Sequence, residues 1–530
     1  MYKILKNIFF LVLIVTGLIC NVNTILAETQ PITVFNKQNN IWDARYFRIP
    51  SLQILDDGTL LAFSDIRYNG ASDHGYIDIG LARSTDGGKT WKYQVVMEND
   101  RKNPTYSRVM DSTTVVTKTG RIILIAGSWN TNGNWANTTT SRRSDWSVQM
   151  VYSDDNGLTW SHKIDLTTNN LRVKNQPSNT IGWLGGVGSG IVMDDGTIVV
   201  PAQIALRENT NKYYSTIIYS KDNGETWTMG SKVPQPRTSE NMVIELDGAL
   251  IMSARYDNSG YRAAYISYNL GKTWKEYEPL HGKILTGTGS GCQGSFIKVT
   301  ASNGHRLGLI SAPKNTVGGY VRDNITVYMI DFDDLSKGVQ ELGVPYPERG
   351  NPAGGGYSSL AFNNDTLGIL YEADGNIAYK DITPYYPVPE GVYNIMPKLR
   401  PSSALVRSYS GLGVSLVSNY DKYSSAAKWE FIYDPAKNAY KIMNLETRKF
   451  LTDAYYSMMI PNALHAISES NDDSHYFKIK KFDNNEISLI NLKTNLAITW
   501  ESFGSGVDSI KTLTPYKQTN NQKFLLEIRK

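Results

Sequence analysis

The chain has 530 residues, of which 41% are apolar and 20% charged, and its formal net charge is +4. That mix is globular and fits two or three domains, while so mild a charge gives no argument for a nucleic-acid partner or a membrane surface. The 44 Gly and 33 Tyr, beside 11 Trp and only 2 Cys, point to an all-β chain of short strands and tight turns.

Lys3 and Lys6 precede an apolar run from Ile8 to Ile19, and a polar stretch follows to Ala27. The run is short for a bilayer span, so residues 1–27 read as a secretory signal and the protein as secreted and extracellular. Loss of Cys20 with that segment leaves Cys292 alone, so packing rather than a disulfide must hold the fold.

The pattern S-x-D-x-G-x-T-W runs from Ser84 to Trp91 and returns from Ser153 to Trp160 and from Ser220 to Trp227. A fourth copy, Ser267 to Trp274, carries Asn269 at the Asp position. Each copy follows an apolar or β-branched run, such as 148–152 or 215–219. A hairpin turn accounts for the fixed positions. The Ser and Asp side chains bond turn amides, the Gly takes positive φ, and the Trp anchors the loop on the sheet. Starts 69, 67 and 47 residues apart suggest a propeller or a solenoid.

A second repeat, with a period of 47, occupies the C-terminus. Tyr393-Asn394-Ile395-Met396 aligns with Tyr440-Lys441-Ile442-Met443 and with Ile487-Ser488-Leu489-Ile490. Trp429, Phe477 and Phe524 form a companion series, each opening a short alternating strand. Three such units predict a threefold β domain over 391–530. Tyr386-Pro387-Val388-Pro389 reads as a stiff linker before it. Charge changes sign across that linker, from a net −3 over 28–390 to a net +5 over 391–530.

The six His are scattered without metal-ligand spacing, and neither a phosphate loop nor a G-x-S-x-G elbow is present. No metal and no cofactor is implied, which leaves Arg, Tyr and carboxylate chemistry. The run Arg45-Tyr46-Phe47-Arg48-Ile49-Pro50, together with the ordered S-x-D-x-G-x-T-W turns, resembles the bacterial exo-α-sialidases over about 32–383. The resemblance implies a six-bladed β-propeller over 28–385, with its site near the central axis.

By the same resemblance, Arg48, Arg255 and Arg322 hold the sialic acid carboxylate, and Glu372 steadies the first of them. Arginine suits the task because its planar fork binds a carboxylate bidentately and stays charged. The resemblance makes Tyr357, in Gly354-Gly355-Gly356-Tyr357, the nucleophile and Glu240 its base, with Glu245 as a rival. A neutral phenol is not repelled by the carboxylate on the anomeric carbon, and a phenol with a pKa of about 10 needs a base at neutral pH. Asp73 is the implied general acid and base, with Asp78 a poorer candidate; to donate a proton its pKa must be raised, by desolvation when substrate closes the site. Arg67 and Asp111 match residues near the O4 hydroxyl, and Met110, Trp129 and Trp135 match an apolar wall around the N-acetyl group.

The C-terminal triplication resembles the ricin-type β-trefoil lectins, with Gln522-Lys523-Phe524 as its best Q-x-W-like element and Asp453 one residue past the expected sugar-binding aspartate. The expected protein is a secreted, monomeric exo-α-sialidase. It acts on sialylated glycoconjugates through a covalent sialyl-tyrosine and has a possible second glycan site on the trefoil. A trans-sialidase, or a sialoglycan-binding protein without catalysis, is the alternative.

Overall fold

A computed structural model describes residues 31–99, 108–129, 146–167, 172–208, 212–257, 259–286, 291–314 apart from 301–305, 322–349, 356–383 apart from 364–365, 391–407, 413–434, 437, 439–453, 464–481, 486–503 and 507–529. The signal expected over 1–27, Cys20, the linker 386–389 and Trp135 lie outside the described residues.

Among the described residues the regular elements are strands, with short 3-10 turns between them. Six sheets follow one another along the chain, antiparallel apart from two-residue parallel pairings of Val173–Lys174 and Gly188–Ser189. The first holds Tyr46–Ile54, Leu60–Arg67, Ile77–Ser84 and Lys92–Met97. The next four begin near Val109, Thr180, Thr238 and Ser295. The sixth holds Ser358–Asn363, Thr366–Ala373 and Asn376–Asp381, and its outer strand is Ile32–Phe35, from the start of the described chain. That pairing joins the two ends of the ring without a covalent link.

The sheets are blades because their apolar residues alternate into the spaces between them. Six clusters fill those six spaces. One holds Phe63, Leu81 and Leu124 between the first and second blades, and another holds Phe47, Leu370 and Tyr379 between the sixth and first. Two others hold Val200 with Ile125, and Ile251 with Ile310. Near the axis the contacts turn polar. Ser51 Oγ meets Thr114 Oγ1 at 2.7 Å, Asn241 Nδ2 donates to the Ala202 carbonyl at 2.6 Å, and Ser311 Oγ meets Ser358 Oγ at 2.8 Å. Each contact joins different blades, so the ring is stitched by hydrogen bonds where apolar packing thins.

The repeated turns share one set of bonds. In the first, the amides of Gly88 and Thr90 donate to Ser84 Oγ and Asp86 Oδ1, both at 2.9 Å, and Thr90 Oγ1 donates to Asp86 Oδ2 at 2.6 Å. The second and third copies repeat this on Asp155 and Asp222. In the fourth, Asn269 Nδ2 reverses the last bond and donates to Thr273 Oγ1 at 2.9 Å. Two consecutive residues are left-handed in each turn, not the Gly alone: Asn156 and Gly157, Asn223 and Gly224, and even Leu270 before Gly271. The Gly also docks the turn on the preceding blade. A Cβ at Gly224 would lie 2.7 Å from Ile123 Cδ1, so a side chain there would push two blades apart.

The C-terminal strands Gly391–Pro397, Trp429–Asp434, Ala439–Asn444, Phe477–Lys481, Glu486–Asn491 and Phe524–Arg529 pair in a closed ring of six, a β-barrel. Three hairpins accompany it, at Ser403–Ser418, Phe450–Ile467 and Leu496–Pro515. Trp429, Phe477 and Phe524 all lie in one buried cluster, and each follows a 3-10 turn, so the 47-residue period is the period of core anchoring.

Hydrogen bonding of the charged form pulls Asp86 and Asp155 down to about 2. Their folded pKa values lie below the unfolded value of about 3.9, so their stabilisation is complete above that pH and is lost as pH falls toward 2. Asp155→Asn, which copies the natural fourth turn, is expected to keep the fold at pH 7 and to flatten the loss of thermal stability between pH 4 and 2 (about, by that linkage). Thermal unfolding followed by circular dichroism across that range checks this; an unchanged acid profile would contradict it.

Candidate active site

Three inner strands each carry a one-residue bulge at the point where a site residue sits. The pairing slips between Arg48 and Ser51, between Met110 and Thr113, and between Thr238 and Asn241. A bulge re-aims the side chains at a strand end, and these three present Arg48, Asp111 and Glu240. Ile49 sits at φ 62 and Asp111 at φ 61. For a β-branched residue such as Ile49 this conformation costs on the order of 1–3 kcal/mol and persists only where neighbours enforce it.

The enforcing group is Glu372, which is 2% exposed. Its Oε1 accepts from Arg48 Nε at 3.1 Å and from the Ile49 amide at 3.0 Å, and its Oε2 accepts from the Tyr357 amide at 3.1 Å. One carboxylate therefore fixes the first arginine, the bulge beneath it and the backbone of the candidate nucleophile. Ile49 packs with Val187, Cys292 and Tyr357 in a small apolar cluster.

The Tyr357 hydroxyl donates to Glu240 Oε1 at 2.5 Å. Arg255 Nη1 donates to Glu240 Oε2 at 2.8 Å and to the Tyr357 hydroxyl at 3.0 Å. The guanidinium carbons of Arg48 and Arg322 lie 5.1 and 5.4 Å from the Tyr357 ring centroid, within cation–π range. Arg322 Nη2 donates to the Gly291 carbonyl at 3.2 Å. Gly356, at φ 99, is required beside it, since a Cβ there would lie 2.7 Å from Arg322 Cβ. Burial first, and then the charge of Glu240, push the Tyr357 phenol well above its ordinary value, against the pull of the three arginines. The phenol is thus protonated at neutral pH and bonded to an acceptor poised to take the proton.

Glu245, the rival base, lies at the other end of the same strand and accepts from the Asp194 amide at 2.8 Å. Asp78, the alternative acid, is held by the Tyr68 hydroxyl and the Asn99 amide, each at 2.7 Å. Both are occupied in structural bonds away from Tyr357.

Asp73 stands on the loop between the second and third strands of the first blade, with its side chain 53% exposed. Arg67 Nη1 donates to its Oδ1 at 2.7 Å, and Arg48 Nη1 lies 3.5 Å from the same oxygen. In the substrate-free site Asp73 is lowered to about 2, and the rise expected of a proton donor belongs to the substrate-closed site. Burial would raise it, but Arg67, Arg48 and Arg108 together outweigh that effect. Arg67 is in turn gripped by Asp65 through Nη2 at 2.8 Å and Nε at 3.3 Å. Burial first, and then the charges of Asp65 and Glu240, raise Asp111 well above its ordinary value. Asp65 and Arg108 join this constellation although no turn or strand motif marks them; the signal for Asp65 is its i,i+2 spacing from Arg67 on one strand face.

Met110 is 2% exposed and packs with Ile77, Ile181, Leu184 and Ala205, so it backs the site from within the core. The backbone of Trp129 ends the strand Ile122–Trp129. In the barrel, Asp453 accepts from Thr494 Oγ1 at 2.6 Å. Gln522 is 1% exposed; its Nε2 donates to Thr499, Thr514 and Pro515, and its Oε1 accepts from the Lys517 amide. The two lectin candidates are therefore engaged in bonds within the barrel.

Removing the cation at Arg67 must raise the pKa of Asp73. In Arg67→Met, the alkaline limb of kcat is expected to move to higher pH by roughly one unit, the effect of one close opposite charge. A kcat–pH profile with that limb unmoved or shifted downward would contradict the electrostatics described.

A BNR repeat-like domain matches residues 49–325. The chain is 76% identical over 360 residues to a sialidase of Clostridium perfringens, covering 68% of this chain and 94% of that one. It is 73% identical over 394 residues to a sialidase of Paraclostridium sordellii, covering 73% and 98%. Among solved structures, a Hadza microbial sialidase superposes with a TM-score of 0.58 at 29% identity, covering 66% of this chain and 68% of that one.

Proposed function

The chain belongs to the sialidase family and is a glycoside hydrolase, and we propose that it is a secreted exo-α-sialidase acting by retention through a sialyl-tyrosine. The observation that carries this reading is the short bond from the Tyr357 hydroxyl to Glu240 inside a ring of three arginines. A neutral nucleophile that sheds its proton to a fixed base suits an anomeric carbon bearing a carboxylate.

In the first step Asp73 gives its proton to the glycosidic oxygen as the C2–O bond breaks. The Tyr357 oxygen bonds to C2 and its proton passes to Glu240. Arg48, Arg255 and Arg322 receive the substrate carboxylate, each able to supply charge-assisted bonds worth about 1.5–3 kcal/mol. In the second step ionised Asp73 takes a proton from water, the water oxygen bonds to C2 as the bond from C2 to the Tyr357 oxygen breaks, and Glu240 returns its proton to that oxygen. Both faces of the sugar are used in turn, so configuration is retained.

The low pKa of Asp73 suits the resting state. A bound substrate carboxylate offsets the charge of Arg48, and the leaving glycan covers a side chain now half open to water. Both changes raise the pKa toward that of a working acid. The C-terminal barrel we read as a trefoil with a second glycan site; since Asp453 and Gln522 are engaged internally, such a site would be formed by other residues.

Tyr357→Phe is expected to lower kcat/KM on a fluorogenic sialoside by at least about 10²-fold, the scale of a lost nucleophilic or acid–base group. Proton NMR of the wild-type reaction is expected to show the α-anomer of free sialic acid first. An active Phe variant, or β-anomer first, would overturn the mechanism, while a transferred or anhydro product would redirect it to a trans-sialidase.

A further inference from the structure

We infer that Arg108 is a positioning residue for acid–base catalysis, placing Asp73 by holding the main chain of its loop. The inference rests on the reading of Asp73 as the acid and base. Arg108 immediately precedes the inner strand Val109–Val116 of the second blade, and its backbone bridges to Ile77 at the end of the Asp73 loop in the first. Its guanidinium is buried, at 0% exposure for the residue. Its Nη1 donates to the Asp73 carbonyl and to His74 Nδ1, the latter at 3.0 Å.

The division of labour with Arg67 gives this contact its meaning. Arg67 holds Asp73 chiefly by the carboxylate, at 2.7 Å, and also bonds the Ala71 carbonyl at 2.7 Å. During turnover that carboxylate alternates between ionised and protonated. Its ion pair with Arg67 weakens in the protonated state, the state in which the acid must be aimed at the glycosidic oxygen. A bond to the Asp73 carbonyl is indifferent to that proton. Arg108 therefore holds the loop through the part of the cycle in which Arg67 holds it least.

The loop needs such a hold. Ser72, Asp73 and His74 are all exposed, and the bonds within it are short-range, from the His74 amide to Ser72 Oγ at 3.0 Å and from the Tyr76 amide to Asn69 Oδ1 at 2.9 Å. Arg108 reaches it from a neighbouring blade, so the acid is referenced to the framework that carries Asp111. Burying a guanidinium is costly unless it is hydrogen-bonded, and burial draws Arg108 down to about 10, where it remains charged at neutral pH. A side chain serving only to fill that space would be apolar.

The test is the dependence on the leaving group, measured as kcat/KM, which reports only the steps through glycosidic cleavage. A 4-nitrophenyl sialoside departs without a proton, whereas sialyllactose requires one. Arg108→Met is expected to lose about tenfold or more on sialyllactose, out of the roughly 10²–10⁴-fold that general acid catalysis supplies, but no more than about threefold on the aryl sialoside. Arg108→Lys, which keeps charge but not the planar fork, is expected to fall between wild type and Arg108→Met in that ratio. Equal losses on the two substrates, or none, would overturn the inference. Asp73→Asn is measured alongside. If it shows no leaving-group selectivity, the reading of Asp73 fails; if it does and the Arg108 variants do not, the positioning role alone fails. Should Arg108→Met prove unfolded by circular dichroism, the ratio in Arg108→Lys decides.

Discussion

The carboxylate of Glu372 is the constraint on which the site depends. It accepts bonds from Arg48, from the Ile49 amide and from the Tyr357 amide, groups brought together from opposite ends of the propeller sequence. The ring is closed by pairing of Ile32–Phe35 with the last blade, and Glu372 converts that closure into chemistry. It holds a β-branched residue in a left-handed conformation, which re-aims Arg48, and it fixes the backbone of Tyr357 in the same act. Removing one partner from such a buried set costs about 3–5 kcal/mol, because the remaining charge is left uncompensated. The strain at Ile49 is thus sustained by the same group that orders Arg48.

Around this anchor the charges are arranged as two linked halves. In the proposed mechanism Tyr357, Glu240 and Arg255 form the half that makes and breaks the covalent bond. Asp65, Arg67 and Asp73 form the half that, on the same proposal, moves the leaving-group proton. Arg48 touches both, lying over the Tyr357 ring and 3.5 Å from Asp73. A substrate carboxylate arriving at Arg48 is therefore sensed by both halves. On the proposed mechanism it quenches a cation that stabilises ionised Asp73, so that binding itself prepares the acid.

Much of this was legible in the sequence, and what was not has physical reasons. The repeated turns could be read because the hairpin demands Ser, Asp, Gly and Thr at fixed positions, but they mark only the first four blades. The count of six rested on family resemblance. The barrel period was legible because Trp429, Phe477 and Phe524 are core anchors. Met110, matched to the N-acetyl wall by resemblance alone, is buried beside the bulge at Asp111. Glu240 and Glu245 share one strand, and local pattern does not say which end points to the axis. Asp65 and Arg108 were missed since an acid or base in a strand reads as surface until its neighbours from other blades are known. The low resting pKa of Asp73 was not legible for the same reason: three arginines converge on it from separate segments.

The central claim is that Tyr357 becomes covalently bonded to the sugar, and the most direct measurement is peptide mass spectrometry after reaction with a 2,3-difluoro sialic acid. The C2 fluoride is a good leaving group, and the C3 fluorine slows hydrolysis of the adduct. The account predicts a single fluorosialyl adduct on the peptide containing Tyr357, absent from Tyr357→Phe. An adduct on Glu240, on Asp73 or on no residue of an inactivated wild-type enzyme would contradict it.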